Sequence, residues 1–125
     1  MYVDVEKALI GWLAVRFPTS RVCAELPADL PPLTIQVQRF SGGRPTVPFD
    51  IANIDVDCYA PDRVQVRELA EQVCHALMYA LPRYVADGAI FLSADCFSAP
   101  SWAPYDNTSV RRMTAAYSIR THNPI

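Results

Sequence analysis

The eight residues from 53 to 60, Asn53-Ile54-Asp55-Val56-Asp57-Cys58-Tyr59-Ala60, alternate polar and apolar side chains without interruption. Successive side chains of a β-strand point to opposite faces, so this alternation predicts a strand with one face buried and the other in water. The solvated face carries the carboxylates of Asp55 and Asp57. A strand of this kind belongs to a sheet that is covered on one side only.

A long helix is predicted directly after this strand, from Pro61-Asp62 to about Leu81, where Pro82 ends it. Its apolar residues recur at helical spacing and form one stripe: Val66, Leu69, Ala70, Val73, Leu77 and Leu81. An earlier helix is predicted from about Asp4, a suitable N-cap residue, to Phe17, where Pro18 ends it.

Four further strands are predicted on either side of the central one. They run over Arg21–Leu26, Leu33–Phe40, Ala89–Phe97 and Val110–Thr121, and the segments Ser41–Pro48 and Ser98–Asn107 are expected to be loops. The element order is α-β-β-β-α-β-β, with few β-α-β alternations. We therefore expect a single α+β domain over residues 1–125, with a mainly antiparallel sheet of about four to five strands and both helices packed on one face.

The composition excludes several classes of function. The 125 residues carry 11 basic and 13 acidic side chains, a net charge of −2, which gives no electrostatic basis for general nucleic-acid binding. No apolar run reaches the roughly 18 residues of a membrane span, and the first residues show no signal-peptide pattern, so we expect a soluble protein. Only 19% of residues are charged, against about 25% in typical domains, which favours oligomerisation.

Two pairs of residues are candidates for catalysis, and both have a simpler interpretation. Asp55 and Asp57 could act as acid and base or hold Mg²⁺, yet any half-solvated strand produces the same spacing. Cys74 and His75 could form a nucleophilic pair, but they are adjacent on the predicted helix and do not share a face. Neither phosphate-binding loops nor hydrolase motifs occur, and we expect no enzyme activity and no cofactor.

The four cysteines are expected to be reduced thiols in core or strand positions. They lie at residues 23, 58, 74 and 96, without any C-x-x-C pair. Structural zinc sites normally bring paired ligands on tight turns, so no metal site is predicted.

Arginine supplies ten of the eleven basic residues, and Lys7 is the only lysine. Arginine is favoured at protein interfaces because it binds carboxylates with two hydrogen bonds and stacks on aromatic rings. A GC-rich genome would produce the same bias, and the sequence leaves both explanations open. Arg111-Arg112, which follow Trp102 and Tyr105, form the strongest local cluster of residues typical of interfaces.

Segments along nearly the whole chain resemble the tail-terminator proteins of bacteriophages with long, non-contractile tails (siphophages). The resembling segments are Asp4–Leu13, Glu25–Pro31, Ile54–Ala60, Leu69–Val73, Pro100–Trp102, Pro104–Asn107 and Val110–Arg112. The resemblance implies an α+β structural protein without catalytic residues. It also implies a homo-oligomeric ring, expected to be a hexamer, which caps the tail tube, stops its growth and offers a surface for head–neck joining.

The resemblance further implies the partners and the location of the chain. They are other copies of itself, the major tail-tube protein and a neck or head-completion protein, at the head-proximal end of the virion tail after assembly in the host cytoplasm. DNA would pass through the ring without specific binding. The alternatives are a head-completion or neck connector protein of similar fold, a small enzyme using Asp55/Asp57 or Cys74/His75, and a ligand-binding α+β domain.

A closed ring needs two different, complementary patches on each subunit. From residue type, we expect Asp55 and Asp57 of one subunit to pair with Arg111 and Arg112 of its neighbour.

Three further residues complete the candidate interface. Trp102 and Tyr105, on a segment stiffened by prolines, are expected to act as anchors, and Arg44, in the Gly42-Gly43-Arg44-Pro45 loop, to contact the tube or the lumen.

Overall fold

The computed structural model describes residues 1–125 and contains two helices and six strands. In chain order they are α1 (Val5–Arg16), β1 (Arg21–Cys23), β2 (Thr34–Gly43), β3 (Phe49–Ala60), α2 (Arg63–Tyr79), β4 (Val85–Ala86), β5 (Ala89–Ala103) and β6 (Arg111–His122). Neither helix is long and apolar enough to cross a bilayer.

The six strands form one sheet in the order β1-β2-β3-β6-β5-β4. All neighbouring strands are antiparallel except β1 and β2, which are parallel. The predicted α+β class with a mainly antiparallel sheet is therefore confirmed, whereas the number of strands is larger than expected. The additional strand, β4, has only two residues, too few to show an alternating pattern.

The strand that decides the fold lies in the middle of the sheet, between β2 and β6. Its alternation is confirmed, since Ile54, Val56 and Cys58 are buried while Asp55 and Asp57 lie on the opposite face. The strand begins at Phe49, four residues earlier than predicted.

Both predicted helices are present, Asp4 is the N-cap of α1 as expected, and Asp62 is the N-cap of α2. Asp4 accepts a hydrogen bond from the backbone N–H of Lys7, and Asp62 accepts one from that of Gln65. The helix α2 buries the predicted stripe except Leu81, which is also buried but lies just after the helix end.

The core lies on one side of the sheet. Buried side chains of α1 and α2 join those of β2, β3, β5 and β6 in a single cluster of 24 residues. Within the sheet, the cluster takes alternate residues, such as Val37 and Val56, which are paired across β2 and β3. The other face of the sheet has no helix over it. We call this the open face, and it carries Asp55 and Asp57.

Both expected loops are partly strand. The first one is wrong over Ser41–Gly43, because β2 continues to Gly43 through an irregularity between Arg39 and Ser41. Gly42 permits this continuation, since it has a positive φ and a Cβ there would collide with the carbonyl oxygen of Ile51. The second one is wrong over Ser98–Ala103, because β5 continues past Pro100 and pairs with β6 as far as Ala103.

Another predicted strand, Arg21–Leu26, is shorter in the structure. Only Arg21–Cys23 pair with β2, and the chain then leaves the sheet towards the proline-rich connector at residues 27–32. At the next residue, the carbonyl oxygen of Ala24 accepts a hydrogen bond from the side chain of Gln36.

Candidate interaction surfaces

The two central carboxylates occupy the middle of the open face. In the register of the sheet, Asp57 lies between Gln36 and Thr114, and Asp55 lies between Gln38 and Ala116. All of these residues except Ala116 are polar. The surface is therefore a polar area of sheet, and neither carboxylate lines a pocket.

These carboxylates have no cationic partner within the chain. The two ion pairs of the molecule both involve Asp50, so neither Asp55 nor Asp57 lies within 4 Å of a basic group. Burial, together with the negative charge of Asp57, raises the pKa of Asp55 above its ordinary value. A cation brought by another molecule would relieve both effects.

One of the predicted arginines, Arg112, is already engaged at the end of the open face. Its guanidinium lies 5.4 Å from the centre of the Tyr105 ring and donates a 2.6 Å hydrogen bond to the carbonyl oxygen of Pro104. Tyr105 in turn packs edge-on against Tyr59, with ring centres 5.1 Å apart. Tyr59 is only 1% exposed, and its hydroxyl donates to Gln36 Oε1 at 2.9 Å.

Trp102 lies on the opposite side of the β5–β6 hairpin from Arg112. It is paired in register with Met113, a core residue, and therefore points to the helix side of the sheet. There the guanidinium of Arg63, the first residue of α2, lies 4.0 Å from the centre of the Trp102 ring. Arg111 donates a 2.7 Å hydrogen bond to the carbonyl oxygen of Thr108.

Arg44 lies at the other end of the sheet. Its guanidinium is 4.0 Å from the ring centre of Tyr2, and its Nε is 3.5 Å from Asp50 Oδ1. The seven predicted interface residues thus fall into four places: the centre of the open face (Asp55 and Asp57), its end (Arg112 and Tyr105), the helix side of the hairpin (Trp102 and Arg111) and the far end of the sheet (Arg44).

Sequence reasoning missed a buried ion pair. Asp50 is fully buried, and its carboxylate accepts two hydrogen bonds from the guanidinium of Arg39, at 2.8 and 2.9 Å. These bonds hold the pKa of Asp50 below its ordinary value, against the effect of burial. Asp50 has the same parity as Ile54 and Val56, which would have indicated the core face had the strand been predicted to begin earlier.

A second missed residue is Asn123, which is also fully buried and joins separate parts of the chain. Its side chain accepts a 2.7 Å hydrogen bond from the backbone N–H of Val3 and donates to the carbonyl oxygen of Pro48 at 3.2 Å. No local pattern in the sequence indicates this role, because its partners lie 120 and 75 residues away.

The cysteine–histidine alternative has an unfavourable geometry. Cys74 Sγ lies 3.8 Å from Met78 Sδ, whereas His75 is exposed and its ring packs on that of Tyr79 at 4.9 Å. A different cysteine, Cys96, has the pKa of its thiol raised to about 11, chiefly by burial, so it is not a thiolate at neutral pH. All four cysteines are free, and three potential metal ligands do not come together anywhere in the chain.

A scan against protein-family models finds no match to the chain, and a search of curated proteins finds no match either.

Proposed function

We propose that the chain is a structural protein of phage assembly, a tail terminator that forms a homo-oligomeric ring, expected to be a hexamer, on the head-proximal end of the tail tube. The ring stops tube growth and offers its other surface to a neck or head-completion protein. Support comes from the resemblance of segments along nearly the whole chain to this family, and from the surfaces that the fold leaves uncovered.

The observation that carries the proposal is the open face of the sheet with its two carboxylates, Asp55 and Asp57, which have no cation near them. Another part of the same chain carries arginines and an exposed tryptophan. Two unlike and complementary patches on one chain favour head-to-tail contacts, and such contacts close into a ring when the rotation between subunits permits it.

Exposed apolar side chains also support assembly. Along β5, Leu92, Phe97 and Trp102 are 42%, 58% and 44% exposed, respectively. Beyond its contact with β4, this strand has no neighbour on its outer edge, and free strand edges with apolar side chains are where other chains attach.

The charge of the chain suits a channel for DNA. With a net charge of −2 on each subunit, a ring would not bind phosphates tightly, so DNA would pass without being held.

Native mass spectrometry over a concentration series, together with negative-stain imaging, tests ring formation. We expect six copies of the 13.9 kDa chain, about 83 kDa, and rings with a central hole, in free solution or on added tail tubes. A matched control is the Asp29→Lys variant, which changes an exposed acid away from the open face and should assemble like the wild type. A chain that stays monomeric both alone and in the presence of tail tubes would contradict the proposal.

A further inference from the structure

A cationic groove lies on the helix side of the sheet, between the beginning of α2 and the extended part of β5. It has a volume of about 430 Å³, and its lining includes Arg63, Arg67, Trp102 and one acid, Glu71. Arg63 and Arg67 are exposed, and neither belongs to an ion pair. A second hollow at the tip of the hairpin shares Arg63 and Trp102 with this groove, is also lined by Arg111, Arg112 and Tyr105, and has no acidic residue in its lining.

Arg63 is held in place by its contact with Trp102. The guanidinium lies 4.0 Å from the ring centre, and stacking of this kind leaves the hydrogen-bonding edge of the guanidinium free. A carboxylate that entered the groove would therefore meet an arginine whose side-chain entropy is already reduced and whose flat neighbour excludes water from one side.

The sequence-based hypothesis paired the acids with Arg111 and Arg112, but the two arginines lie on different faces of the sheet. Arg112 is paired in register with Tyr59, on the same face as Asp57, and it is engaged by Pro104 and Tyr105. Arg112 is thus bound within its own chain, whereas Arg63 and Arg67 on the helix side form no ion pair and are exposed.

The acids of the open face provide the complementary surface. Asp55 and Asp57 are joined there by exposed Asp95, which lies in the row of Asn53 and Ser118. Two arginines also lie on this face, Arg120 in the row next to Asp95 and Arg21 beside Thr34 on the edge strand β1, and neither forms an ion pair with the three acids. The acids and the groove lie on opposite sides of one sheet, so they cannot meet within a single copy.

From this complementarity we infer that the groove formed by Arg63, Arg67 and Trp102 binds the open face of a second copy of this chain, with the arginines on Asp55 and Asp57. Each copy then uses both surfaces, one towards each neighbour. The inference rests on the proposed function, since it identifies the contact by which the ring closes.

Two charge-reversed variants test this contact: Arg63→Glu with Arg67→Glu, and Asp55→Lys with Asp57→Lys. Each variant alone places like charges at every contact, and we expect its assembly to weaken at least about tenfold. An equimolar mixture restores opposite charges at every contact when the two variants alternate around the ring. An alternating ring closes only with an even number of subunits. The mixture should therefore form even-numbered rings that contain equal amounts of the two variants. Native mass spectrometry measures this composition, with tail tubes added where the ring needs them to form.

Controls separate the contact from general effects of charge and folding. Lys7→Glu and Asp29→Lys change exposed residues that belong to neither surface and should leave assembly unchanged. The milder Asp55→Asn with Asp57→Asn variant keeps the strand free of new charges, and we expect it to weaken assembly in the same direction. Circular dichroism confirms that each variant is folded.

The experiment distinguishes a failure of the inferred contact from a failure of ring formation. The inference is overturned if the wild type forms rings and the folded charge-reversed variants form them equally well. It is also overturned if ring formation does not depend on salt between about 50 and 500 mM, the range over which exposed charges become screened. Either result leaves ring formation itself as a proposal. Variants that weaken assembly but are not rescued by mixing would also overturn it. A wild type that forms no ring even on tail tubes would instead contradict the proposed function.

Discussion

Asp50 shows how a single residue shapes one end of this fold. Its carboxylate is fully buried at the beginning of β3 and binds Arg39 through two hydrogen bonds, with Arg44 as a second cation 3.5 Å away. The backbone N–H of Arg39 is also satisfied by Glu6, which connects α1 to the same network. Because both partners are held from several directions, the pair fixes the register between β2 and β3 at this end.

Replacing Asp50 by asparagine should destabilise the protein by about 3 kcal/mol at neutral pH, since it leaves Arg39 without its buried counter-charge. Urea denaturation followed by circular dichroism measures this change. Asp29→Asn serves as the control, because Asp29 is exposed, and its effect should be within about 0.5 kcal/mol. Equal stability of the two variants would contradict the importance assigned to the pair.

The same substitution should alter the response to acid. The pKa of Asp50 is lowered by its hydrogen bonds to Arg39, so its contribution is complete above the unfolded-state pKa of about 3.9 and is lost as pH falls through the lower folded-state pKa. The difference in unfolding free energy between wild type and Asp50→Asn should therefore shrink as the pH is lowered from about 5 towards about 2. A constant difference over this range would contradict the assignment.

At the residue scale, the sequence predicts which side chains are exposed to solvent better than it predicts which side chains contact each other. The alternation from Asn53 to Ala60 is enough to place Asp55 and Asp57 on the solvated face, because one strand determines it. Arg63 and Trp102 are 39 positions apart, and only the tertiary fold brings α2 and β5 together. No local pattern distinguishes Arg63 from the other arginines.

The β5–β6 hairpin is the element on which the account depends most. Past Pro100 it extends beside the beginning of α2, with Trp102 on its helix side and Tyr105 at its other side. Tyr105 holds the tip of the hairpin down by packing between Tyr59 and Arg112.

Replacing Tyr105 by alanine should loosen the hairpin without unfolding the core. Loss of the edge-on contact with Tyr59 and of the stacking with Arg112 should cost about 1–2 kcal/mol. Hydrogen exchange should become faster over residues 98–112 and remain unchanged in α1 and the central part of β3.

Two control variants make this result specific. Tyr105→Phe keeps the ring and should retain protection of the hairpin. Tyr79→Ala removes a 71% exposed tyrosine of α2 and should change little. Uniformly faster exchange in Tyr105→Ala would contradict a local role.

The sequence predicts the bounds of both helices to within two residues but misplaces several strand ends, for a physical reason. A helix carries its own signals, and Asp4, Asp62 and the apolar stripe of α2 mark both helices locally. Strand ends depend on the neighbouring strands. In the sequence alone, Gly42 and Pro100 indicate loops, because the strands that pair with these segments are not known. The β6 strand provides that partner for β5, and β3 does so for β2.

At the scale of the whole molecule, the uncovered side of the sheet is the feature that connects the fold with the proposed function. The α+β architecture follows from the order and periodicity of the elements, but the open face becomes evident only when both helices join one core with the other face. The carboxylates of this surface form no ion pair within the chain, and two arginines of the groove on the opposite side form none either, which favours association between copies of the same chain.

The most direct test of the central claim is the length of tail tubes grown with and without this chain. The proposed partner, a major tail-tube protein encoded in the same genome as the chain, is polymerised in vitro, and tube lengths and ends are measured by negative-stain electron microscopy. The account predicts that adding the chain stops elongation and leaves a ring at one end of each tube. Tubes that reach the same length and keep bare ends at every concentration of the chain would contradict it.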